Sequence, residues 1–433
     1  MKFIVSNGGQ LGGEIRVPGD KSISHRSIMF GAIAEGTSHI AGFLEGEDSL
    51  NTLRAFQAMG VAIDGPENGQ VVIHGVGMRG LNRPEQPLNL GNSGTSMRLL
   101  AGLLSGQSFD VELTGDASLS KRPMERVTGP LQSMGADITT AAGGRPPLKL
   151  AGGRTLHAIE YALPMASAQV KSCVLLAGLY ADGRTCVTEP ATTRDHTERM
   201  LNAFGCSVEK SGATACLRGP ATLTACDIDV PADISSAAFF IVGASIAEGS
   251  DIVLKHVGIN PTRTGVLDIL RLMGADIELL NRTEAGGEPV ADIRVRSARL
   301  RGISVPEELV PLAIDEFPVI FVAAACAEGE TVVTGAEELR VKESDRIQVM
   351  ADGLQRLGVA ARATPNGMII QGGAINGGVV HSHDDHRIAM AFSMAALVAN
   401  GPVIVEDCDN VNTSFPGYAD LGASAGLAIQ AEN

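Results

Sequence analysis

Apolar and polar positions alternate along this chain in six long cycles. In each, a polar, glycine- or acid-containing opening leads into a run that is apolar on nearly every side, and the run ends at a glycine. The openings are Gly19–Arg26, Gly91–Arg98, Met165–Ser172, Pro231–Ala238, Ala313–Ile320 and His383–Met390, and the closing glycines are Gly36, Gly106, Gly183, Gly249, Gly329 and Gly401. Counted from glycine to glycine the period is 66 to 80 residues. Runs such as Arg26–Ala34, Met97–Leu104, Val170–Leu179, Ala237–Ala247 and Arg387–Ala399 predict helices buried all round. A β-type run mostly follows; strands are expected at Phe3–Val5, Val71–Val76, Asp110–Leu113, Asp251–Leu254 and Gly367–Gly372. A second, amphipathic helix then ends near Gly60, Gly135, Gly205, Gly274, Gly358 or Gly426, as in Thr264–Gly274. A fixed long period of this kind marks a repeat architecture. Helices buried on all faces imply that the sheets lie outside them.

The polar residues collect at one point of the repeat, the helix opening. Helix N-termini carry unsatisfied N–H groups and the positive end of the dipole, so they suit anions. Composition sharpens this picture. The chain has 433 residues with three copies of the repeat on either side of about residue 230, which predicts two domains. A formal charge of −15 argues against a nucleic-acid partner, so cations concentrated at helix starts point to small anions. No run is apolar enough to span a bilayer, and Met1–Gly19 has no export signal, so a cytoplasmic protein is expected. The seven scattered cysteines, with no C-x-x-C pair, predict buried free thiols rather than disulfides or zinc.

Several motifs carry candidate chemistry. Lys21, Ser22 and Arg26 in GDKSISHR read either as an N-cap serine with two solvated cations or as an anion site. Asn92, Gly94 and Arg98 repeat the arrangement, with Gly94 able to bring backbone close to a ligand. Ser118–Arg126 packs Lys121, Arg122 and Arg126 around a proline, and Thr192–Glu198 sets Arg194, Asp195 and His196 before a helix. In Arg340–Arg346, Lys342, Glu343 and Arg346 recur at helical spacing, although a charge run also fits a solvated face. Asp315 and Glu316 interrupt the apolar stretch Val310–Cys326, where a carboxylate is costly unless it is paired or used. His381, His383 and His386 with Asp384 and Asp385 could be read as a metal cluster, but they occupy the anion-binding slot of the sixth repeat, and no metal is expected. No Walker motif fits.

Taken in order, GDKSISHR, GNSGTSMR, KRPM, SAQVKS, RDHTE, NPTR, RVKESDR, DDHR and TSFP make the whole chain resemble the 5-enolpyruvylshikimate-3-phosphate synthase family, with a likeness to its second class. The resemblance implies a two-domain inside-out α/β barrel of six βαβαββ units. Residues 1–19 plus 231–433 would form one domain and residues 20–230 the other. It implies transfer of the enolpyruvyl group of phosphoenolpyruvate to the 5-hydroxyl of shikimate 3-phosphate, with release of phosphate through a tetrahedral intermediate. No cofactor would be needed, and a monomer whose domains close on its substrates is expected.

By the same resemblance, Lys21, Ser22, Arg26, Ser167, Ala168, Gln169, Arg194, Asp315 and Lys342 would hold shikimate 3-phosphate. Lys21, Asn92, Gly94, Arg122, Gln169, Arg346, His386 and Arg387 would hold phosphoenolpyruvate. Asp315 would take the hydroxyl proton, and Glu343 and Lys21 would deliver one to the methylene carbon. Two positions depart from many bacterial members: Thr413 stands where they have a lysine, and Leu99 where they have a proline. The sister enzyme that acts on UDP-N-acetylglucosamine usually carries a cysteine in the loop matching Ser118–Arg122, and this chain has none there. A non-catalytic anion-binding scaffold is the remaining alternative, opposed by the presence of Lys21, Asp315 and Glu343.

Overall fold

A computed structural model describes residues 1–432. The six cycles emerge as six helix pairs. The buried helices are α1 (Lys21–Ile33), α3 (Gly94–Leu104), α5 (Ala168–Gly178), α7 (Ile234–Ile246), α9 (Phe317–Cys326) and α11 (His386–Ala395). Their partners are α2 (Glu47–Ala58), α4 (Glu125–Ser133), α6 (His196–Ala203), α8 (Gly265–Leu272), α10 (Arg346–Arg356) and α12 (Tyr418–Ala425).

The local chemistry of the ends is repeated too. Asp20, Ser93, Ser167, Asp233 and Asp385 each precede a buried helix and accept a hydrogen bond from one of its first N–H groups. In α1 the capping residue is therefore Asp20, and Ser22 lies inside the first turn rather than at the cap. The partner helices stop at glycines with positive φ, from +83° at Gly358 to +111° at Gly426, a conformation that side chains with a Cβ resist.

Each repeat contributes one small sheet. Ile228–Asp229, Glu35–Ala41, Gln70–Val76 and Ala62–Glu67 lie in that order, parallel at the first pair and antiparallel at the others. A parallel pair needs a long crossover. In the second and third repeats the buried helix supplies it, while the first repeat takes its outer strand from the far end of its own unit. Likewise Lys2–Val5 lies between Val403–Glu406 and Ile429–Glu432 in the sixth sheet. Helices sit inside and sheets outside, as the all-round apolar runs require: α7 and α9 are buried along almost their whole length. The sheets are open, with three or four strands each, so among the described residues there is no closed barrel.

The chain divides into two compact units. One comprises Met1–Pro18, Pro231–Glu284 and the residues from Pro289 onward; the other comprises Gly19–Val230 with Ala285–Glu288. Each has its own apolar core. Among the described residues no helix is long and apolar enough to cross a membrane.

The expectation of free thiols fails at one pair. Cys186 and Cys216 are joined as a disulfide, because the antiparallel register of Gly183–Thr188 and Thr214–Gly219 sets them directly opposite, with their Cα atoms 4.1 Å apart. Cys173, Cys206, Cys226, Cys326 and Cys408 remain free.

Candidate active site

The sequence-predicted residues fall into two clusters, one in each unit. In the 19–230 unit they surround the first turns of α1, α3 and α5. The Lys21 ammonium lies 3.2 Å from Oδ2 of Asp48, in the first turn of α2. Arg26, one turn along α1, is buried. Its Nε donates to Thr197 Oγ1 at 2.7 Å, one Nη to Ser172 Oγ at 3.0 Å and the other to the carbonyl of Ser22 at 3.0 Å. Burial pulls its pKa down to about 10, partly opposed by the Glu198 charge, so the guanidinium stays protonated at neutral pH.

At α3, Arg122 donates to Asn92 Oδ1 at 2.5 Å, and Asn92 donates on to Asp116 at 2.7 Å. A Cβ at Gly94 would come within 2.8 Å of Arg98 Nη1 and 3.2 Å of Arg122 Nη1, so this backbone lies directly against two guanidinium groups. Gln169, in the first turn of α5, joins the two helices: it donates to Thr95 Oγ1 at 2.9 Å and accepts from Arg98 at 2.6 Å. Ser167 caps α5 and Ala168 is its first residue. Arg194 lies between the strand Gly183–Thr188 and α6, near enough to Arg26 for their charges to repel.

Behind this surface runs a buried polar network. His25 Nδ1 lies 2.8 Å from Thr52 Oγ1, which lies 2.6 Å from Ser96 Oγ, and that hydroxyl donates to the capping Ser93 at 2.8 Å. Burial first, then the charges of Lys21 and Arg26, push the His25 pKa well below the usual histidine value. A neutral imidazole thus ties α1, α2 and α3 together.

The cluster in the other unit centres on Asp315, just before α9. Its Oδ1 lies 3.3 Å from Arg346 Nη1 and 3.7 Å from Lys342 Nζ, and its Oδ2 lies 3.9 Å from Arg387. Arg387 also donates to the Asp315 carbonyl at 3.1 Å. Arg346 is fully buried and donates to Glu343 Oε2 at 2.7 Å and to Asp385 Oδ2 at 2.8 Å. Burial opposes its charge, but Asp385, Glu343 and Asp315 hold its pKa above the ordinary arginine value. Only Arg346 is on α10; Lys342 and Glu343 precede it in a turn, so the helical spacing expected for the three is not realised. His386 and Arg387 open α11. His381 pairs instead with Glu406 at 2.9 Å, and no group of three or more potential ligands is placed to hold a metal among the described residues. Thr413, where a lysine is common in the family, donates to Asn410 O at 2.6 Å and closes its own turn. Leu99 is buried within α3.

Sequence reasoning assigned no role to Asp48 and did not foresee the partners of Arg98 or Asp385. Arg98 and Asp385 lie inside quoted motifs, but their pairing with Gln169 and Arg346 is long-range. Asp48, Lys171, Glu189 and Glu198 carried no signal of their own. Lys171 is fully buried, with its ammonium 2.8 Å from both Glu189 Oε2 and Glu198 Oε1. Burial works against its charge, yet the two carboxylates outweigh it and hold the pKa above the usual lysine value.

Fold and clusters together define a class: a two-unit α/β protein whose buried helices open beside arginines and lysines, an arrangement suited to small anions. Comparison with known proteins places it within that class. The sequence profile of the family described as EPSP synthase (3-phosphoshikimate 1-carboxyvinyltransferase) matches residues 5–421. The 3-phosphoshikimate 1-carboxyvinyltransferase of Nitrosococcus oceani is 67% identical over 430 residues, covering 99% of this chain and 97% of that protein. That of Alkalilimnicola ehrlichii is 68% identical over 430 residues, covering 99% and 96%. The solved EPSP synthase of Acinetobacter baumannii superimposes with a TM-score of 0.91 at 59% identity, covering 100% of both chains. The chain belongs to the EPSP synthase family.

Proposed function

We propose that this chain transfers the carboxyvinyl group of phosphoenolpyruvate to the 5-hydroxyl of shikimate 3-phosphate, with its two clusters acting on the same pair of substrates. The activity is that of the family. The observation that carries the assignment of roles is Asp315, a single carboxylate within 4 Å of Lys342, Arg346 and Arg387. Both substrates carry a phosphate and a carboxylate, and arginine binds such groups bidentately.

In this reading Lys21, Ser22, Arg26, Ser167, Ala168, Gln169 and Arg194, with Lys342 and Asp315, hold shikimate 3-phosphate. Lys21, Asn92, Gly94, Arg122, Gln169, Arg346, His386 and Arg387 hold phosphoenolpyruvate. Asp315 accepts the proton of the 5-hydroxyl as its oxygen bonds to the central carbon of phosphoenolpyruvate. Glu343 and Lys21 supply a proton to the methylene carbon, which becomes a methyl group in the tetrahedral adduct. Loss of a methyl proton and of phosphate from that adduct then restores the double bond. Arg346 already carries the charges of Glu343, Asp315 and Asp385, so an incoming phosphate competes with carboxylates for this guanidinium. A cytoplasmic monomer completes the reading, one chain carrying both clusters. Phosphate release from the two substrates together, and from neither alone, is the direct test. No release would overturn the assignment.

A further inference from the structure

Lys171 belongs to no step of that mechanism, yet it is a charged side chain with no exposed surface, held between two carboxylates. The positions of those carboxylates give it a job. Glu189 directly follows the strand Gly183–Thr188, and Glu198 lies in the first turn of α6. The segment between them, residues 190–197, carries Arg194 in the loop that precedes α6. One ammonium therefore pins both ends of the Arg194 loop to the first turns of α5. Within the loop, Thr193 Oγ1 donates back to Glu189 Oε1, fixing the residue next to Arg194. The two hydroxyls that orient Arg26 are the sequence neighbours of this pair: Ser172 follows Lys171 and Thr197 precedes Glu198, and they lie 2.7 Å from each other. Burying one cation with two anions is costly, and well-packed apolar side chains would often stabilise such a site as well or better.

We infer that Lys171, with Glu189 and Glu198, is a positioning clamp that sets Arg194 and Arg26 at the spacing needed to hold shikimate 3-phosphate. This rests on the proposed assignment of Arg194 and Arg26 to shikimate 3-phosphate. The clamp touches no substrate itself, and the phosphoenolpyruvate residues Arg122, Arg346 and Arg387 make none of its contacts.

The test is steady-state kinetics of three variants of the full chain, with both KM values measured. Lys171→Met should raise the KM for shikimate 3-phosphate by ~10-fold or more and that for phosphoenolpyruvate by less than ~3-fold. Thr193→Val, which removes only the hydroxyl tie, should shift the same KM by ~3-fold or more with wild-type melting behaviour, and it decides the question if Lys171→Met does not fold. Arg194→Ala is the control for the underlying assignment and should raise the same KM at least as much as Lys171→Met. If Arg194→Ala raises that KM while Thr193→Val and any folded Lys171→Met leave it unchanged, or move both KM values equally, the clamp is refuted and the assignment stands. If Arg194→Ala leaves it unchanged, the assignment itself fails and the clamp with it.

Discussion

Arg346 and Asp385 form a buried ion pair: Nε lies 2.8 Å from Oδ2, and the two side chains are 1% and 0% exposed. Asp385 also accepts from the backbone N–H of Arg387, so one carboxylate both caps α11 and anchors the first residue of α10. Removing one partner of such a pair leaves an uncompensated buried charge. Asp385→Ala is expected to cost about 3 kcal/mol, the low end for this class because Asp315 and Glu343 still face Arg346. Asp385→Asn, which keeps an oxygen for the cap, should cost less. Urea unfolding of both variants checks this, and wild-type stability in Asp385→Ala would show that the pair supports nothing.

Asp315 sits where three cations converge, and its replacement separates charge from shape. Asp315→Asn should keep substrate binding and lose at least ~10²-fold in turnover if it is the base for the hydroxyl. Binding measured by calorimetry beside single-turnover rates distinguishes the two effects. Turnover near that of wild type would remove Asp315 from the chemistry.

At Gly94 the geometry predicts a steric effect on two cations. A methyl group there would sit 2.8 Å from Arg98 Nη1 and 3.2 Å from Arg122 Nη1, so both guanidinium ends must shift. Both are the far ends of flexible side chains, so the shift costs little stability but displaces the guanidinium groups. Gly94→Ala should raise the KM for phosphoenolpyruvate by ~10-fold while leaving the melting temperature nearly unchanged. An unaltered KM would mean that Arg98 and Arg122 adapt freely.

His25 gives stability a pH dependence of definite sign. Its folded pKa lies well below the unfolded value of about 6.5, so below that pH the unfolded chain binds the proton more readily. This contribution is complete above pH ~6.5 and is lost as pH falls, by up to ~1.4 kcal/mol per unit, until the folded pKa is reached. Unfolding midpoints at pH 6.5 and 5.5 should therefore converge in His25→Gln relative to wild type. Equal slopes in the two proteins would place the acid sensitivity elsewhere.

Chelation tests the histidine-rich opening of the sixth repeat. His381 is paired with Glu406 and lies near Asp407, at 2.9 and 3.8 Å, rather than with a cluster of ligands. Activity should survive exhaustive EDTA treatment; loss restored by zinc or manganese would reverse that reading.

The sequence alone determined the repeat. All-round apolar runs bury helices, Asp and Ser mark where five of them begin, and glycine at positive φ marks where the partner helices end. These are local preferences acting within one or two turns, so they are readable in order along the chain, as is the resemblance carried by nine short motifs. What the tertiary structure decided is which distant charges share a space. Arg346 meets Asp385 across 39 residues, Lys171 meets Glu189 and Glu198 across 18 and 27, and Cys186 meets Cys216 only because a strand register sets them opposite. One local detail differs: the cap of α1 is Asp20 rather than Ser22. A buried charge is tolerable only where its partner arrives, and the partner's arrival is a property of helix and sheet packing that no local pattern of residues encodes.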